Sequence, residues 1–376
     1  MMPRVLHVVE RFLPRSETFI YTIVNGHCVY EASVLCQSRL FETEFPFPRV
    51  HVHARPLSKR TVGWWVDASI GVATGRSLWR REIEAVLAAV RPDIVHAHFG
   101  PAGCAIVDDV HAAGIPLVTS LYGVDAAVLP FLPRWKEAYA RLFSTGDLFL
   151  AEAPEMRKKV IAAGAPAERT AIHPISIDLA RYPRWMPSPE PTVLFVARFI
   201  ENKGLLDAIA AFDRARTRVP EARMTIVGEG PDDELARSLV DRLGCGSRVA
   251  FVGSKPHAAV LDVLARATVL VHPSATAFDG DSEGGAPTIL LEAQAIGTPI
   301  VATRHADIPN VAPEGASVRL CGEHDVEALG AAVVDLLIAR QPSSSAHVAA
   351  HHAIGNTIVN LEALYTRLTE AAALAR

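Results

Sequence analysis

Thr192-Val-Leu-Phe-Val-Ala-Arg198-Phe-Ile-Glu-Asn-Lys203-Gly204, running into Leu205–Arg218, is an apolar run closed by two cations and a glycine. The segment that follows has apolar residues at three- and four-residue spacing. A short strand, a tight turn and an amphipathic helix make the repeating unit of a parallel sheet wrapped by helices. Outward from this stretch the alternation continues in both directions. Runs at 5–9, 31–36, 93–97, 116–120, 148–151 and 170–173 read as strands of a first series. Runs at 192–196, 224–227, 249–252, 268–272, 299–302 and 317–320 read as a second. Helical spacing fills 205–218, 231–243, 257–267 and 287–296. The expected fold class is α/β, with two doubly wound, Rossmann-like domains.

A chain of 376 residues suits two such domains. The stretch from Tyr182 to Pro191 holds Pro183, Pro187, Pro189 and Pro191, and is expected to be an interdomain linker. Residues 341–346 form a polar break before a last helix at about 357–375. The expected domains are residues 1–185, 186–355 and a C-terminal helix over 356–376. Hydrophobic residues are 50% and charged residues 21%, which supports packed cores and excludes disorder. A net charge of -4 argues against nucleic acid as partner. The cysteines Cys28, Cys36, Cys104, Cys245 and Cys321 are scattered without a CxxC pair, as expected of free thiols in a reducing compartment. The N-terminal residues read as a first strand and not as a signal peptide, and no apolar run is long enough to span a bilayer. A cytoplasmic protein is expected, at most peripheral to the membrane.

Ligands of open parallel sheets bind beyond the carboxyl ends of the strands. Arg198 and Lys203 stand at such an end, where two cations and helix amides can converge on a diphosphate. A solvated basic turn is the plainer alternative. Asp279-Gly-Asp281-Ser-Glu283-Gly284-Gly285-Ala286-Pro287 follows the run at 268–272 and leads to Glu292. Pro287 suits a first helical turn, the glycines leave amides open, and a helix N-terminus favours an anion. Glu292, five residues in, is placed to accept hydrogen bonds from ribose hydroxyls.

Together these segments resemble the donor-binding domain of glycosyltransferase family 4, retaining enzymes of the two-domain GT-B fold. The match is carried by Val196-Ala-Arg-Phe-Ile-Glu-Asn-Lys-Gly204, Ile226-Val-Gly-Glu-Gly-Pro231, Val252-Gly253 and residues 282–293. The resemblance implies that the two domains face a cleft. It also implies that Arg198 and Lys203 hold the donor diphosphate and stabilise the leaving charge. Glu292 would bind ribose, and Glu283 would sit against the donor sugar. The amides of Gly284, Gly285 and Ala286 would contact sugar and distal phosphate. Gly228 and Gly230 would let the backbone approach the nucleotide, and Gly253 lies in a segment, 252–256, that would line the base. One departure stands out: eight residues separate Glu283 from Glu292 where the family usually has seven. The extra residue falls within Gly284-Gly285-Ala286, where a glycine pair can absorb it.

In the N-terminal half, Phe12-Leu-Pro-Arg-Ser-Glu-Thr-Phe-Ile20 and His96-Ala-His-Phe-Gly-Pro101 resemble the acceptor domain of members that build bacterial exopolysaccharides. Ser16 is read as a helix cap with Glu17 in the first turn, and Ser16, Glu17 and Thr18 would replace the family's double-glycine loop. Tyr122 stands where many members have a histidine against the donor sugar; it can hydrogen-bond but cannot carry positive charge. Asp125 fits the pattern and is read as positioning the acceptor or a neighbouring side chain. A structural turn is the alternative for both. His98 is placed on the acceptor side.

Asp279-Gly-Asp281 looks like a metal motif of a different architecture and is read as a solvated loop. His96 and His98 share one strand face, but without a carboxylate or cysteine set they are read as cleft or buried histidines, not zinc ligands. No metal and no cofactor is therefore expected. Arg55, Lys59, Arg60, Arg76, Arg80 and Arg81 oppose Asp67 alone, with Trp64, Trp65 and Trp79 between them. Such a face is either solvated surface or a contact with anionic lipid. The expected reaction moves a glycosyl group from a nucleoside diphosphate sugar to a hydroxyl of a glycan, lipid-linked or small-molecule acceptor, with retention. The departing phosphate is the base toward that hydroxyl. The rival readings are an epimerase or hydrolase on the same fold, and a non-catalytic sugar-nucleotide binder.

Overall fold

The computed structural model describes residues 2–15, 17–52, 78–278, 280–282, 285 and 287–374, without the side chains of 78–81. The described chain divides into two compact units. The first comprises Met1–Ala151, Arg157–Ser176 and Thr357–Arg376, the second Glu152–Met156 and Ile177–Asn356.

The first unit holds a parallel sheet of β1 (Arg4–Phe12), β2 (Glu31–Arg39), β3 (Val50–Val52), β4 (Ile94–His98), β5 (Leu117–Leu121), β6 (Leu148–Ala151) and β7 (Thr170–Ile172), in the order β3-β2-β1-β4-β5-β6-β7. The second holds β8 (Thr192–Val196), β9 (Arg223–Val227), β10 (Val249–Phe251), β11 (Val269–His272), β12 (Ile300–Thr303) and β13 (Val318–Cys321), in the order β10-β9-β8-β11-β12-β13. All the strand pairs are parallel. Each sheet reverses direction beside its first strand, which is the doubly wound topology.

Strands covered on both faces are buried at every position, as β4, β5 and β6 are, and the polar side chains they carry, such as His96, His98 and Ser120, are hydrogen-bonded. In the second unit Val193, Phe195, Phe212, Ile226 and Val271 pack on one side of the sheet. Leu194, Leu270, Leu290 and Ile300 pack on the other. Each such side chain contributes about 1.5–3 kcal/mol by leaving water. The strand at 50–52 escaped the sequence reading because three residues carry no period.

The proline-rich stretch from Tyr182 to Pro191 is not a free linker. Trp185 N donates to Ile296 O, Met186 N to Ala265 O, and the Trp185 indole to Ala267 O at 2.8 Å. It is laid along the second unit, so the chain changes unit at Ser176, ahead of the expected boundary at residue 185. The basic stretch 55–81 lies outside the residues whose side chains are described. Among the described residues, no helix is long and apolar enough to cross a membrane.

Candidate functional site

The candidate residues cluster at the carboxyl ends of the two sheets. At the edge of the second unit three loops are joined through their backbones. Ala197 N donates to Val227 O at 3.2 Å, Phe199 N to Glu229 O at 3.0 Å, and Gly228 N to Gly253 O at 3.1 Å. The glycines make this approach possible. A Cβ on Gly228 would lie 1.9 Å from Ala197 O, and one on Gly230 2.4 Å from Phe199 O. Gly228 and Gly230 thus admit the backbone of the Arg198 loop, a nearer need than the approach of a nucleotide. Gly253 has φ +70° and open space around it.

Arg198 is exposed, and its side chain has no hydrogen-bond or ion-pair partner among the described residues. Lys203 closes a single 3₁₀ turn, Glu201–Lys203. Gly204 follows at φ +69°, where a Cβ would lie 2.0 Å from Pro273 O, and caps the helix Leu205–Arg218. Buried Asn202 ties this turn to the next loop: its side-chain amide donates to Asp281 Oδ2 at 2.9 Å, and its backbone carbonyl accepts from Ala275 N. Asp281 is therefore a loop pin, while Asp279, Glu283, Gly284 and Ala286 lie outside the described residues. Gly285 is buried, with Glu152 Oε2 2.6 Å from where its Cβ would be.

The following helix runs Thr288–Ile296, so Pro287 occupies the cap position and not the first turn. Glu292 is buried at 4% exposure, and its Oε1 lies 2.7 Å from His257 Nε2. His257 opens the helix His257–Arg266 directly after Pro256. This imidazole was missed in the sequence. The signal available was a polar ring at the start of a helix behind the 252–256 segment.

The first unit's edge is held by side chains. Asp125 is buried and accepts three backbone N–H groups: Gly100 at 2.9 Å, Tyr122 at 3.0 Å and Gly123 at 2.8 Å. Burial raises its carboxyl above the ordinary range, and those three hydrogen bonds oppose the shift. Its oxygens are engaged by the loop, so its contribution is to fix where Tyr122 sits. The helix Thr18–Gly26 begins after Glu17, which stands at the cap with no side-chain cap bond. The expected first-turn glutamate is therefore one position early, Thr18 is the first helical residue, and Ser16 is outside the described residues.

Tyr122 is half-buried just beyond β5, packed between Phe19 and Phe99 with ring centroids at 4.8 and 4.9 Å. Its hydroxyl lies 2.8 Å from His98 Nδ1. His98 is fully buried, which removes it from the acceptor surface and leaves it behind Tyr122. Behind His98 comes a set of imidazoles that the sequence did not bring together. His7 on β1 and His96 on β4 are paired in register. His7 Nδ1 meets His98 Nε2 at 3.0 Å, and His7 Nε2 meets His27 Nε2 at 2.9 Å. His27 Nδ1 reaches Glu362 Oε1 at 3.2 Å. His96 bonds Tyr365 and Ser120. Burial holds His7 and His96 well below the usual imidazole range and His98 down to about 3. His7, His96 and His98 each bring one nitrogen within 4.8 Å of the others, close enough to hold a metal ion. All six ring nitrogens of these three are already engaged in hydrogen bonds to protein groups, so the donor set does not suit one.

Two doubly wound parallel sheets are the GT-B architecture. Among solved structures, that of Anabaena Alr3699/HepE in complex with UDP-glucose superposes with a TM-score of 0.76 at 17% identity, covering 97% of this chain and 99% of that one. A family model described as Glycosyltransferase Family 4 matches residues 30–181, and one described as Glycosyl transferases group 1 matches residues 190–338. The chain belongs to glycosyltransferase family 4. The putative colanic acid biosynthesis glycosyltransferase WcaL of Escherichia coli is 33% identical over 244 residues, 64% of this chain and 60% of that protein. The amylovoran biosynthesis glycosyltransferase AmsK of Erwinia amylovora is 32% identical over 250 residues, 65% of this chain and 61% of that protein. The chain thus spans about three fifths of the length of the curated relatives it matches.

Proposed function

We propose that this chain is a glycosyltransferase that moves a hexosyl group from a nucleoside diphosphate sugar to a hydroxyl acceptor in the synthesis of a bacterial exopolysaccharide. The observation that carries the reading is Arg198, an exposed cation without an ion-pair partner among the described residues, on a loop fixed by the backbone hydrogen bonds of Ala197 and Phe199 on either side of it. A charge held in place before the reaction stabilises a leaving diphosphate without reorganisation. Lys203 adds a second cation five residues on, and the helix from Thr288 adds a positive end. Glu292, steadied by His257, suits a ribose diol. Tyr122 and Glu283 belong to the sugar end, with retention at the anomeric carbon and no metal, because the cations and the helix dipole supply the charge a metal otherwise brings. The relatives with exopolysaccharide names support the acceptor class, and the UDP-glucose bound to the Anabaena protein supports the donor class.

The test begins with thermal shifts against UDP, GDP, ADP and TDP sugars, where a ligand at about 100 times its Kd adds about 2.7 kcal/mol. The stabilising donor is then assayed for transfer. Arg198→Ala is expected to lose about a hundredfold in turnover, as on loss of one preorganised charge-stabilising donor. Unaltered kinetics would remove the diphosphate from this loop. Donor breakdown that ignores every acceptor would favour a hydrolase.

A further inference from the structure

We infer that Tyr122, His98, His7, His27 and Glu362 form a one-directional proton relay, which draws the proton from the acceptor hydroxyl during glycosyl transfer. The inference rests on the function proposed above and puts a protein base in place of the departing phosphate expected from the sequence.

The direction follows from hydrogen-bond accounting alone. Glu362 Oε1 accepts the backbone N–H groups of Cys28 at 2.9 Å, Val29 at 3.0 Å and Tyr30 at 3.3 Å. A carboxylate oxygen serving three amides is an acceptor, so His27 Nδ1 carries a hydrogen and donates to it. A neutral His27 then presents a bare Nε2, which obliges His7 Nε2 to donate. His7 Nδ1 is left bare and accepts from His98 Nε2–H. His98 Nδ1 is bare in turn and accepts the Tyr122 O–H. One anchored carboxylate at the far end fixes three tautomers and commits the tyrosine proton inward. Any other partner of the Tyr122 oxygen must donate to it, as a sugar or acceptor hydroxyl does.

The same contacts support the reversed state. The acceptor O–H bond breaks as its oxygen bonds to the anomeric carbon and the carbon–oxygen bond to the diphosphate breaks, the electron pair leaving with the diphosphate. The proton joins the Tyr122 oxygen while the tyrosine proton passes to His98 Nδ1. The His98 Nε2 proton passes to His7 Nδ1, and the His7 Nε2 proton to His27 Nε2. The charge comes to rest as a His27 imidazolium against the Glu362 carboxylate. After product leaves, the proton returns along the same bonds to solvent. A hydroxyl becomes strongly acidic once its oxygen bonds to carbon, so a weakly basic chain can take the proton late in the step. Burial holds His98, His7 and His27 below the usual imidazole range, and at His27 alone a hydrogen bond and charge from Glu362 oppose that shift. The other groups around the chain are His96, His173, Tyr30 and Tyr365. Tyr365 donates its proton to His96 or accepts one from it, outside the line from Tyr122 to Glu362.

Tyr122 is the catalytic member; the three histidines and Glu362 act through it. Nitrogen-15 NMR of ring-labelled histidine in the full chain is expected to show hydrogen on Nδ1 of His27 and on Nε2 of His7 and His98. The opposite tautomer at His7 or His98 overturns the relay, as does a stoichiometric metal ion in the purified protein. Glu362→Gln keeps an oxygen for the four N–H groups, so resting geometry survives, but the counter-charge for the imidazolium is gone. Its turnover is expected to fall on the order of a hundredfold with donor affinity and KM unchanged and the acidic side of the pH profile displaced to lower pH. Glu362→Asp is expected to recover part of that loss. If Glu362→Gln folds poorly, Tyr122→Phe cuts the chain at its half-exposed end, and the double variant is expected to be no slower than the slower single one. Wild-type turnover in Glu362→Gln sinks the relay and leaves the transferase standing. No transfer by the wild type to any acceptor sinks the transferase and the proton step, while the tautomers still decide whether the chain has its direction.

Discussion

The carboxyl edges of the two sheets solve one problem by opposite means. In the second unit, backbone bonds backbone, and Gly228 and Gly230 are there because no side chain fits. In the first unit, side chains bond backbone and one another: Asp125 takes three amides at that edge, and the histidines lead inward from Tyr122 to Glu362, which takes three more just ahead of β2. A backbone-held edge has no group to titrate and no tolerance for a Cβ. A side-chain-held edge accepts substitution but answers to pH.

Acid should therefore separate the two units by the largest margin. His98 is pushed down by burial to about 3 and His173 to about 4, with His7 and His96 also well below 6.5. The unfolded chain takes up protons near 6.5, while the folded imidazoles do so only much lower. Stability thus falls with pH from about 6.5 toward about 4, by about 1.4 kcal/mol per histidine per pH unit. Four such groups amount to several kcal/mol by about pH 5.5. In the second unit His347 is pushed down, chiefly by burial. Hydrogen exchange on the full chain, corrected for intrinsic rates, should show β1 and β4 losing protection on acidification before β8 and β11. Equal loss in both sheets would remove the distinction.

The mirror experiment strikes the second unit. Gly228→Ala places a methyl against a backbone oxygen at φ +138°, where nothing flexible can give way. Overpacking and a disfavoured φ together cost about 3 kcal/mol. Gly253→Ala meets the φ penalty at +70° but open space, so about 1–2 kcal/mol is expected. Urea midpoints of the two variants give the comparison directly. Equal losses would mean that the close approach of the Arg198 loop contributes nothing.

The same contrast explains what could be read in the sequence. Strands buried on both faces are continuous apolar runs, and those of β6 and β8 were found with the bounds they have in the structure. The glycine fingers were legible because glycine at a strand end has few other uses. The histidine chain was not. His7, His27, His98 and Glu362 are scattered from one end of the chain to the other, and the sequence exposed only the alternation of His96 and His98. Long-range hydrogen bonds leave no period. The proline stretch was misread for a related reason, since proline forbids regular structure but does not forbid docking on a neighbouring surface.

The smallest expected effect sharpens the comparison most, because it asks whether the first edge is one network or two. Asp125→Asn keeps one oxygen for the amides of Tyr122 and Gly123. Its new NH₂ then faces the Gly100 N–H, donor against donor. One buried donor left unsatisfied costs about 1–2 kcal/mol. Room to escape is limited, since Tyr139 is buried beside the site and donates to Asp125 O at 2.6 Å. Asp125 holds Tyr122 through its backbone, whereas the histidines meet its hydroxyl. The two attachments share a residue but no atom. Asp125→Asn should thus cost the same in the wild type and in Tyr122→Phe, within about 0.5 kcal/mol, as independent sites do. A larger coupling in denaturant titrations would show that loop and relay move together, and that substitutions in the relay report on the loop as well as on the proton.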